Sequence, residues 1–350
     1  MKAKNNIFLG VVAVSVFASP SYAFDFKVSG QLNRAVMSVD NGETSDTYFV
    51  DNTNSSSRFR FTGGGDISDG LEAGFNYEME FESEPSVSVN EENSGGNTNK
   101  LDERIAEVYL KGAFGKVSLG QGDGAVNGLT HISLSGTGVA SLLAHYSMIG
   151  GGIQFQENGL ASGTTVRNAF SELDFESRYD RVSYASPGIG SLTLVASAGR
   201  KSDMVYEVGV TQSSEYSFGK VAAGIGFSQE KVSGADDNET LGGSASVLLN
   251  SGLNAAVSYS ELSDATERDP KNIAVQIGYK FGNHATSIDY GITEDMHLKG
   301  DDGDVVSLNY VYKPAPWIEL YASGRQFNLD RKGSDYDDVV ALLAGSRIKF

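Results

Sequence analysis

The chain has no cysteine among its 350 residues. A disulfide framework, a thiolate nucleophile and a cysteine-based metal site are therefore excluded. Histidine is scarce too, and no two of the four histidines have the spacing of a zinc-binding pair. We therefore expect no cofactor and no metal, and neither a metalloenzyme nor a histidine-dependent hydrolase. The histidines are His131, His145, His284 and His297.

Positive charge and long apolar runs are also in short supply. Lys and Arg together number 27 against 45 Asp and Glu, which gives a net charge of -18 at pH 7. Nucleic acid requires a basic protein face, so we do not expect it as a partner. After residue 23, no apolar run has the length of a membrane-spanning helix, which takes about 20 residues. An α-helical membrane protein is therefore excluded.

Glycine, phenylalanine and tyrosine are plentiful, with 42, 18 and 16 residues, whereas proline and tryptophan number only 6 and 1. The mean hydropathy of the chain is -0.23. A soluble globular protein could have this composition. A transmembrane β-barrel could have it as well, because its strands alternate lipid-facing and water-facing residues and average out to slightly polar.

The first 23 residues have the features of a secretory signal peptide. Lys2 and Lys4 provide a positive start, residues 7–18 are mostly apolar, and small residues occupy positions 21 and 23. We expect cleavage after Ala23. The alternative, a membrane anchor, is disfavoured because the apolar run is short. Residues 24–350 would then form one barrel domain.

Alternation of apolar and polar residues recurs along this region and predicts β-strands. In residues 71–81, Leu, Ala, Phe, Tyr, Met and Phe occupy the odd positions, and Glu, Gly, Asn, Glu and Glu the even ones. Residues 221–227, 253–260 and 273–281 repeat the pattern. We count sixteen such segments, of about the 9–11 residues that a tilted membrane strand requires.

Two kinds of connection join these segments. Short turns containing Gly or Pro lie at residues 67–70, 112–115, 187–190, 217–219, 250–252, 281–283 and 314–316. Longer, acidic connections lie at residues 85–100, 234–239, 263–270, 295–304 and 330–337. Short turns on one side and long loops on the other are typical of outer-membrane barrels. The predicted fold is all-β: a sixteen-stranded antiparallel transmembrane β-barrel.

Residues 122–176 interrupt the repeat. This stretch has no clear strand or helix period, and it makes the gap between the second and third short turns more than twice the usual length. It falls at the third long loop. It is poor in acids, since Glu157 is the only one between residues 124 and 171. We predict that this insertion sets the width of a pore.

Four segments carry a resemblance to the general porins of Gram-negative bacteria. Residues 28–32 resemble the first strand of that family, residues 57–63 its second strand, and residues 104–117 its fourth strand and the turn that follows. The last strand, residues 339–350, ends in Phe350, as barrels delivered to the outer-membrane assembly machinery do. The likeness extends over nearly all of the mature chain.

The resemblance implies a homotrimer in the outer membrane, in contact with lipid and lipopolysaccharide. Each barrel would let small hydrophilic solutes and ions diffuse passively. The third loop would fold into the lumen and face basic residues on the opposite wall. Arg58 and Arg104 lie where the family places basic wall residues, while Gln121 stands where the family often carries another Arg.

Residue parity extends this set of pore residues. Arg58 and Arg60 share one face of their strand, whereas Phe59 and Phe61 share the other. A lipid-facing Arg at mid-membrane would cost about 2–4 kcal/mol, so the arginines are expected to face the lumen. The predicted basic wall is Arg58, Arg60, Arg104 and Arg181, and the predicted acidic loop side is Glu157, Glu172, Asp174 and Glu176.

Two charges break the alternation. Arg34 shares its parity with apolar residues of the first strand, and Glu107 shares its parity with Ile105 and Tyr109. We hypothesise that Arg34 and Glu107 meet in or near a subunit interface, where buried charges need partners. The alternative is a local bulge that turns each of them inward.

Other functions find weaker support. His131 with Ser133 or Ser135 would be the only candidate for a barrel hydrolase, and it lacks a third member, so we do not expect an enzyme. Residues 301–304 offer calcium-binding oxygens without the downstream Glu of a calcium loop, which favours a solvated loop tip. A substrate-selective channel, for sugars or anions, remains the alternative because Tyr146 and Phe155 lie in the insertion. The preference for cations or anions stays open.

Overall fold

A computed structural model of the chain describes residues 24–92, 100–266 and 268–350. The predicted signal peptide, residues 1–23, lies outside the described residues, as does the central part of the connection predicted at 85–100. The described residues are almost entirely β, with one four-residue helix, α1 (Val166–Ala169). No helix in these ranges is long and apolar enough to cross a membrane.

The strands follow one another along the described chain in the order below. They are β1 (Asp25–Asp40), β2 (Ser45–Asp51), β3 (Arg58–Ser68), β4 (Leu71–Glu82), β5 (Lys100–Gly112), β6 (Gly115–Asp123), β7 (Gln154–Glu157), β8 (Leu160–Thr165), β9 (Arg178–Ala185), β10 (Leu192–Arg200), β11 (Met204–Tyr216), β12 (Gly219–Glu230), β13 (Asn238–Leu249), β14 (Leu253–Ser263), β15 (Lys271–Phe281), β16 (His284–Glu294), β17 (Asp301–Ala315), β18 (Ile318–Arg331) and β19 (Val339–Lys349).

These strands close into one antiparallel barrel. Each wall strand pairs with its sequence neighbour, β6 pairs with β9, and β1 pairs with β19 to complete the ring. Strands β2 and β3 both pair with β1 and are separated by a 3-10 turn at Thr53–Ser55, so they form one interrupted wall strand. Strands β7 and β8 form a separate hairpin. The wall therefore has sixteen strands, which confirms the predicted fold.

Alternation decides which side chains face outward. Along β14, Leu253, Ala255, Val257 and Tyr259 are exposed, whereas the residues between them are buried. The outward surface is apolar, and ring closure pairs the two edges of the wall through β1 and β19, which is what a barrel in lipid requires. All seven predicted short turns connect consecutive wall strands.

A bulge in β5 corrects one parity assignment. Glu78 of β4 pairs with Ile105 and Met79 pairs with Glu103, so Arg104 is the extra residue between them. An extra residue reverses the alternation beyond it. Glu107 therefore lies on the buried face, as the alternative interpretation proposed, and it does not interrupt an outward apolar stripe.

A long inner segment, residues 124–177, connects β6 to β9; the prediction had placed it at 122–176. Its polar groups bond to buried side chains of the wall. Ser141 Oγ donates to Asp289 at 2.8 Å, and Asn272 donates to the carbonyl of Ala144 at 3.1 Å. The segment therefore packs against the side of the wall that faces away from the apolar exterior.

The inner segment also forms a hydrophobic core with the wall. Met37 of β1 and Phe327 of β18 are fully buried, as are Leu143, Phe155 and Phe170 of the segment. The wall contributes apolar residues mainly from β1, β2, β17, β18 and β19. On these strands the exterior face is apolar, and much of the face toward the inner segment is apolar as well.

Two glycines of the wall make this packing possible. A Cβ at Gly291 would collide with the ring of Tyr146, and a Cβ at Gly303 would collide with the ring of Phe170. The absence of a side chain lets both aromatic rings of the inner segment lie directly against the backbone of β16 and β17. The core therefore depends on small wall residues as much as on large ones.

Candidate functional site

A cavity of about 400 Å³ lies between the inner segment and the wall formed by β3 to β6. This cavity differs from the hydrophobic core because its lining consists largely of charged and polar groups. Its charged lining residues are Arg58, Arg60, Glu78, Glu80, Arg104, Asp123, Glu172, Asp174 and Arg178, joined by His131 and His145.

Three of the four predicted basic wall residues converge on one carboxylate of this cavity. Arg104 Nε lies 2.9 Å from Glu78, Arg60 Nε lies 2.7 Å from it, and Arg58 Nη1 lies 3.2 Å from it. Glu78 is 1% exposed, so its charge needs these partners. Arg104 also contacts Glu80.

Register explains why these charges meet. Arg60 lies directly opposite Glu78, and Arg58 lies directly opposite Glu80, in the antiparallel pairing of β3 with β4. Opposite charges at directly facing positions stabilise such a pair. Arg104 joins them because the bulge in β5 places it beside Glu78. The basic wall is thus partly neutralised by carboxylates of the same wall.

Two of the predicted acids face the arginines from the inner segment. Asp174 accepts hydrogen bonds from the hydroxyl of Thr130 at 2.6 Å and from the backbone N–H of Gly128 at 2.7 Å. Glu172 lies 2.5 Å from Nδ1 of His145. Both carboxylates belong to the cavity lining. The structure therefore brings Arg58, Arg60 and Arg104 into one cavity with Glu172 and Asp174.

The two histidines of the cavity have opposite electrostatic environments. Burial, followed by the charge of His145, lowers the pKa of His131 to about 4. Burial also acts to lower the pKa of His145, but the charge and hydrogen bond of Glu172 outweigh it, and the pKa is raised. For Glu172, burial is outweighed by the charge of His145, so its pKa is lowered. His131 is therefore neutral at pH 7.

The remaining predicted pore residues lie outside this cavity. Arg181 is buried and donates to Glu107 at 2.6 Å and to the carbonyl of Gly120 at 2.8 Å. Glu157 accepts from the backbone N–H of Asp335 at 3.3 Å. Glu176 also lies elsewhere, where it pairs with Lys201 at 2.8 Å. For Arg181, Glu157 and Glu176, inward parity or position in the segment did not mean exposure to the cavity.

Arg34 and Glu107 do not pair with each other. Arg34 Nη1 lies 2.6 Å from Asp51, with its side chain 49% exposed. Glu107 instead binds Arg181 at 2.6 Å and Asn76 at 2.7 Å on the buried face. Within one chain the two charges therefore do not meet, because the bulge at Arg104 turns Glu107 inward while Arg34 keeps its outward parity.

Sequence reasoning missed several members of the site. Glu78 and Glu80 have inward parity, so the alternation of β4 could have identified them as partners for Arg58 and Arg60. His131 and His145 could not be found in this way, since they lie 14 residues apart in a segment without a regular period. Only the path of the inner segment brings them together.

One inward arginine anchors the inner segment. Arg325 of β18 is 2% exposed and donates to the carbonyl of Ala140 at 3.2 Å and to that of Tyr146. The guanidinium of Arg325 thus binds backbone carbonyls of the inner segment, and Arg325 does not line the cavity. Tyr146 and Phe155, which kept a selective channel open as an alternative, are both fully buried. They offer no aromatic surface to a solute.

Comparisons with known protein families and solved structures agree with the barrel fold. A family model described as Gram-negative porin matches residues 10–332. The anion-selective porin from Comamonas acidovorans has a TM-score of 0.64 at 18% identity, covering 94% of this chain and 100% of that chain. A comparison with curated proteins gave no match.

Two further solved structures show the same fold. A trimer form of OmpT from Vibrio cholerae has a TM-score of 0.61 at 17% identity, covering 94% of this chain and 100% of that chain. Salmonella typhi OmpF in complex with daunomycin has a TM-score of 0.60 at 14% identity, covering 93% and 97%. At such identities the likeness concerns the fold alone.

Proposed function

We propose that this chain, which belongs to the Gram-negative porin family, narrows its diffusion path at the charged cavity between the inner segment and strands β3 to β6. Membership of the family confirms the resemblance drawn from the sequence. It makes the protein an outer-membrane channel for the passive diffusion of small hydrophilic solutes and ions. The family and the fold are those of channels and not of enzymes.

The main support for a constriction at this place is the contrast between the two faces of the inner segment. One face is sealed against the wall by fully buried residues such as Leu143 and Phe170. The other face borders the cavity with partly exposed residues such as Leu142 and Asn127. Solutes therefore pass on the charged side, where Arg58 and the acids of the segment face one another.

The charges of the cavity are close to balance. Four arginines and five carboxylates line it. The net charge of -18 includes loops far from the path, and charges farther than a Debye length of about 8–10 Å are largely screened. We therefore infer weak ion selectivity set by the cavity, with a transverse field between Arg58, Arg60 and Arg104 on one side and Glu172 and Asp174 on the other.

Assembly as a homotrimer is part of the proposal. The solved OmpT relative occurs as a trimer, and the outward face of β1 and its neighbours carries Arg34 among large exposed apolar side chains such as Phe26 and Phe49. A half-exposed charge that is already paired with Asp51 suits a subunit contact better than lipid. Glu107 has no part in this contact.

The remaining surface and partners follow from the same proposal. The exposed apolar band contacts outer-membrane lipid, and the acidic outer loops contact lipopolysaccharide through divalent cations. Phe350, exposed at the end of β19, is recognised by the barrel-assembly machinery. The protein has no catalytic role, since the hydroxyl of Ser133 donates to Oε1 of Gln276 and lies 2.9 Å from the hydroxyl of Ser135, and His131 packs on His145.

The test is conductance of the purified protein in a planar lipid bilayer under a salt gradient. We expect discrete steps in groups of three and a small reversal potential. Arg58→Ala should move the reversal potential toward cation preference, while the matched variant Arg200→Ala, an arginine outside the cavity lining, should not. No discrete steps, or equal shifts in both variants, would contradict the proposal.

A further inference from the structure

His131 and His145 meet at the cavity, although 14 residues separate them in the sequence. Their ring centroids are 4.3 Å apart, with the planes at 73°. One ligand atom from each histidine and one oxygen of Asp174 all lie within 4.8 Å of one another. Two imidazoles and a carboxylate therefore converge on a single point.

Both histidines keep a buried nitrogen without a hydrogen-bond partner among the described residues. These atoms are Nδ1 of His131 and Nε2 of His145. His145 is 7% exposed, so bulk water does not freely satisfy it. Buried polar groups are hydrogen-bonded in the great majority of cases, and each exception calls for an explanation. By contrast, His284 at the far turn has Nδ1 bonded to the hydroxyl of Tyr310 at 2.7 Å.

The surroundings hold the converging groups in place. Glu172 lies 2.5 Å from Nδ1 of His145, which leaves Nε2 as the free nitrogen. A carboxylate on the second nitrogen is the usual companion of a metal-binding histidine, because it fixes the tautomer and the ring orientation. Asp174 is likewise fixed by the hydroxyl of Thr130 and the N–H of Gly128.

A simple ion pair does not account for this arrangement. Pairing of His145 with Glu172 explains the contact at Nδ1, yet it leaves Nε2 of His145 and Nδ1 of His131 without partners. Nδ1 of His131 is 3.6 Å from Asp174, which is too long for a good hydrogen bond. A ligand that accepts electron pairs from both nitrogens and one oxygen would satisfy all three groups.

We propose that His131, His145 and Asp174 form a site for a divalent transition-metal ion of the zinc class, with Glu172 positioning His145. Two imidazoles and a carboxylate are ligands that suit Zn²⁺ and leave a fourth position for water or a solute. Binding displaces any proton on the ligating nitrogens. This revises the expectation of no metal that was based on histidine spacing.

The site would act on the pore because it lies in the cavity lining. A bound dication adds positive charge opposite Arg58, Arg60 and Arg104. It would shift the cavity from near balance toward anion preference, and this effect rests on the proposed diffusion path. The existence of the site does not rest on that path, so binding and conductance are measured separately.

The binding test uses isothermal titration calorimetry of Zn²⁺ into the purified full-length protein in detergent. We expect one ion per chain, with at least a tenfold loss of affinity in His131→Ala and in His145→Ala and roughly a 10–100-fold loss in Glu172→Gln. The matched control His297→Ala, in an outer loop, should bind as the unaltered protein does. Mg²⁺ should not compete, because it prefers oxygen ligands.

The conductance test adds Zn²⁺ to single channels and then a chelator. We expect a reversible shift of the reversal potential toward anions that His131→Ala abolishes and His297→Ala retains. Absence of Zn²⁺ binding to the unaltered protein, or an affinity in His131→Ala and His145→Ala that equals that of the unaltered protein, would overturn the proposal. Binding without any change in conductance would support the site and count against the proposed diffusion path.

Discussion

The two sides of the barrel interior are built from opposite kinds of residue. Along β1, β18 and β19 many of the buried wall residues are apolar and pack in one core with the inner segment. Along β3, β4 and β5 a cluster of inward charged residues borders a cavity. One segment separates the two sides. We call the side packed in the core the dry half and the side that borders the cavity the wet half. On the proposed diffusion path, only the wet half conducts.

The dry half is expected to be the stronger determinant of stability. Phe170 is fully buried between Phe155 and Phe327. We predict that Phe170→Ala lowers the free energy of unfolding by about 3–5 kcal/mol and raises single-channel conductance as the segment loosens. Urea unfolding in lipid vesicles and bilayer recording would measure the two effects.

Leu160→Ala provides the control for that variant. Leu160 lies in the same inner segment but is 72% exposed, so its truncation should leave both quantities nearly unchanged. Equal effects of Phe170→Ala and Leu160→Ala would mean that the segment has no apolar anchor.

Replacement of Arg325, which anchors the inner segment, should have the next largest effect on stability. Its loss leaves the carbonyl of Tyr146 without its donor and that of Ala140 with Asn54 as its remaining donor, and hydrogen bonds to charged groups contribute about 1.5–3 kcal/mol each. We expect Arg325→Met, which keeps much of the volume, to lower thermal stability and to add rapid fluctuations to the open-channel current. A quiet current at unchanged stability would show that the apolar contacts hold the segment alone.

How much of this contrast could be predicted from the sequence depends on periodicity. The two-residue alternation of β14 and β15 predicted the wall, since parity alone decides which face is outward. The dry half also left a signal that was overlooked. Residues 35–37 and 339–344 are apolar at both parities, as expected for strands covered on both faces.

Other features had no period to detect. The bulge at Arg104 is a single inserted residue, and it reversed the predicted face of Glu107. The meeting of His131 with His145 depends on the irregular path of the inner segment. The same irregularity explains why Glu172 and Asp174 line the cavity while Glu157 and Glu176 lie elsewhere. Position along such a segment does not determine which way a side chain faces.

In the wet half, ion selectivity should depend on the charge of the lining side chains more than on their volume. A unit positive charge about 7 Å from an ion in water disfavours a cation and favours an anion by about 0.6 kcal/mol each, so we predict that Arg58→Gln raises the cation-to-anion permeability ratio roughly eightfold. The expected change in stability is small because Arg60 and Arg104 still pair with Glu78. The reversal potential under a salt gradient measures the ratio. A shift toward anions would place the conducting path elsewhere.

Removal of the ion pair between Arg34 and Asp51 should have the smallest effect on the stability of the single barrel. Arg34 is half-exposed, and its buried partner Asp51 would keep hydrogen bonds from the backbone N–H groups of Ser83 and Glu84, so its loss should cost close to the range of about 0.2–1 kcal/mol that holds for exposed ion pairs. We expect Arg34→Gln to leave the unfolding of the barrel within that range while lowering the temperature at which the trimer separates into monomers. Lys231→Gln, which removes an exposed ion pair with Asp237 in an outer loop, is the control. Equal trimer stability in both variants would remove Arg34 from the interface.

Chemical accessibility of neighbouring leucines tests the division of the interior most directly. Leu142 borders the cavity, whereas Leu143, the next residue, is fully buried in the core. The chain has no native cysteine to interfere. A charged thiol reagent added during bilayer recording should change the current of Leu142→Cys within minutes and leave Leu143→Cys unchanged. Equal rates of reaction at both positions would contradict a lumen with one conducting and one sealed half.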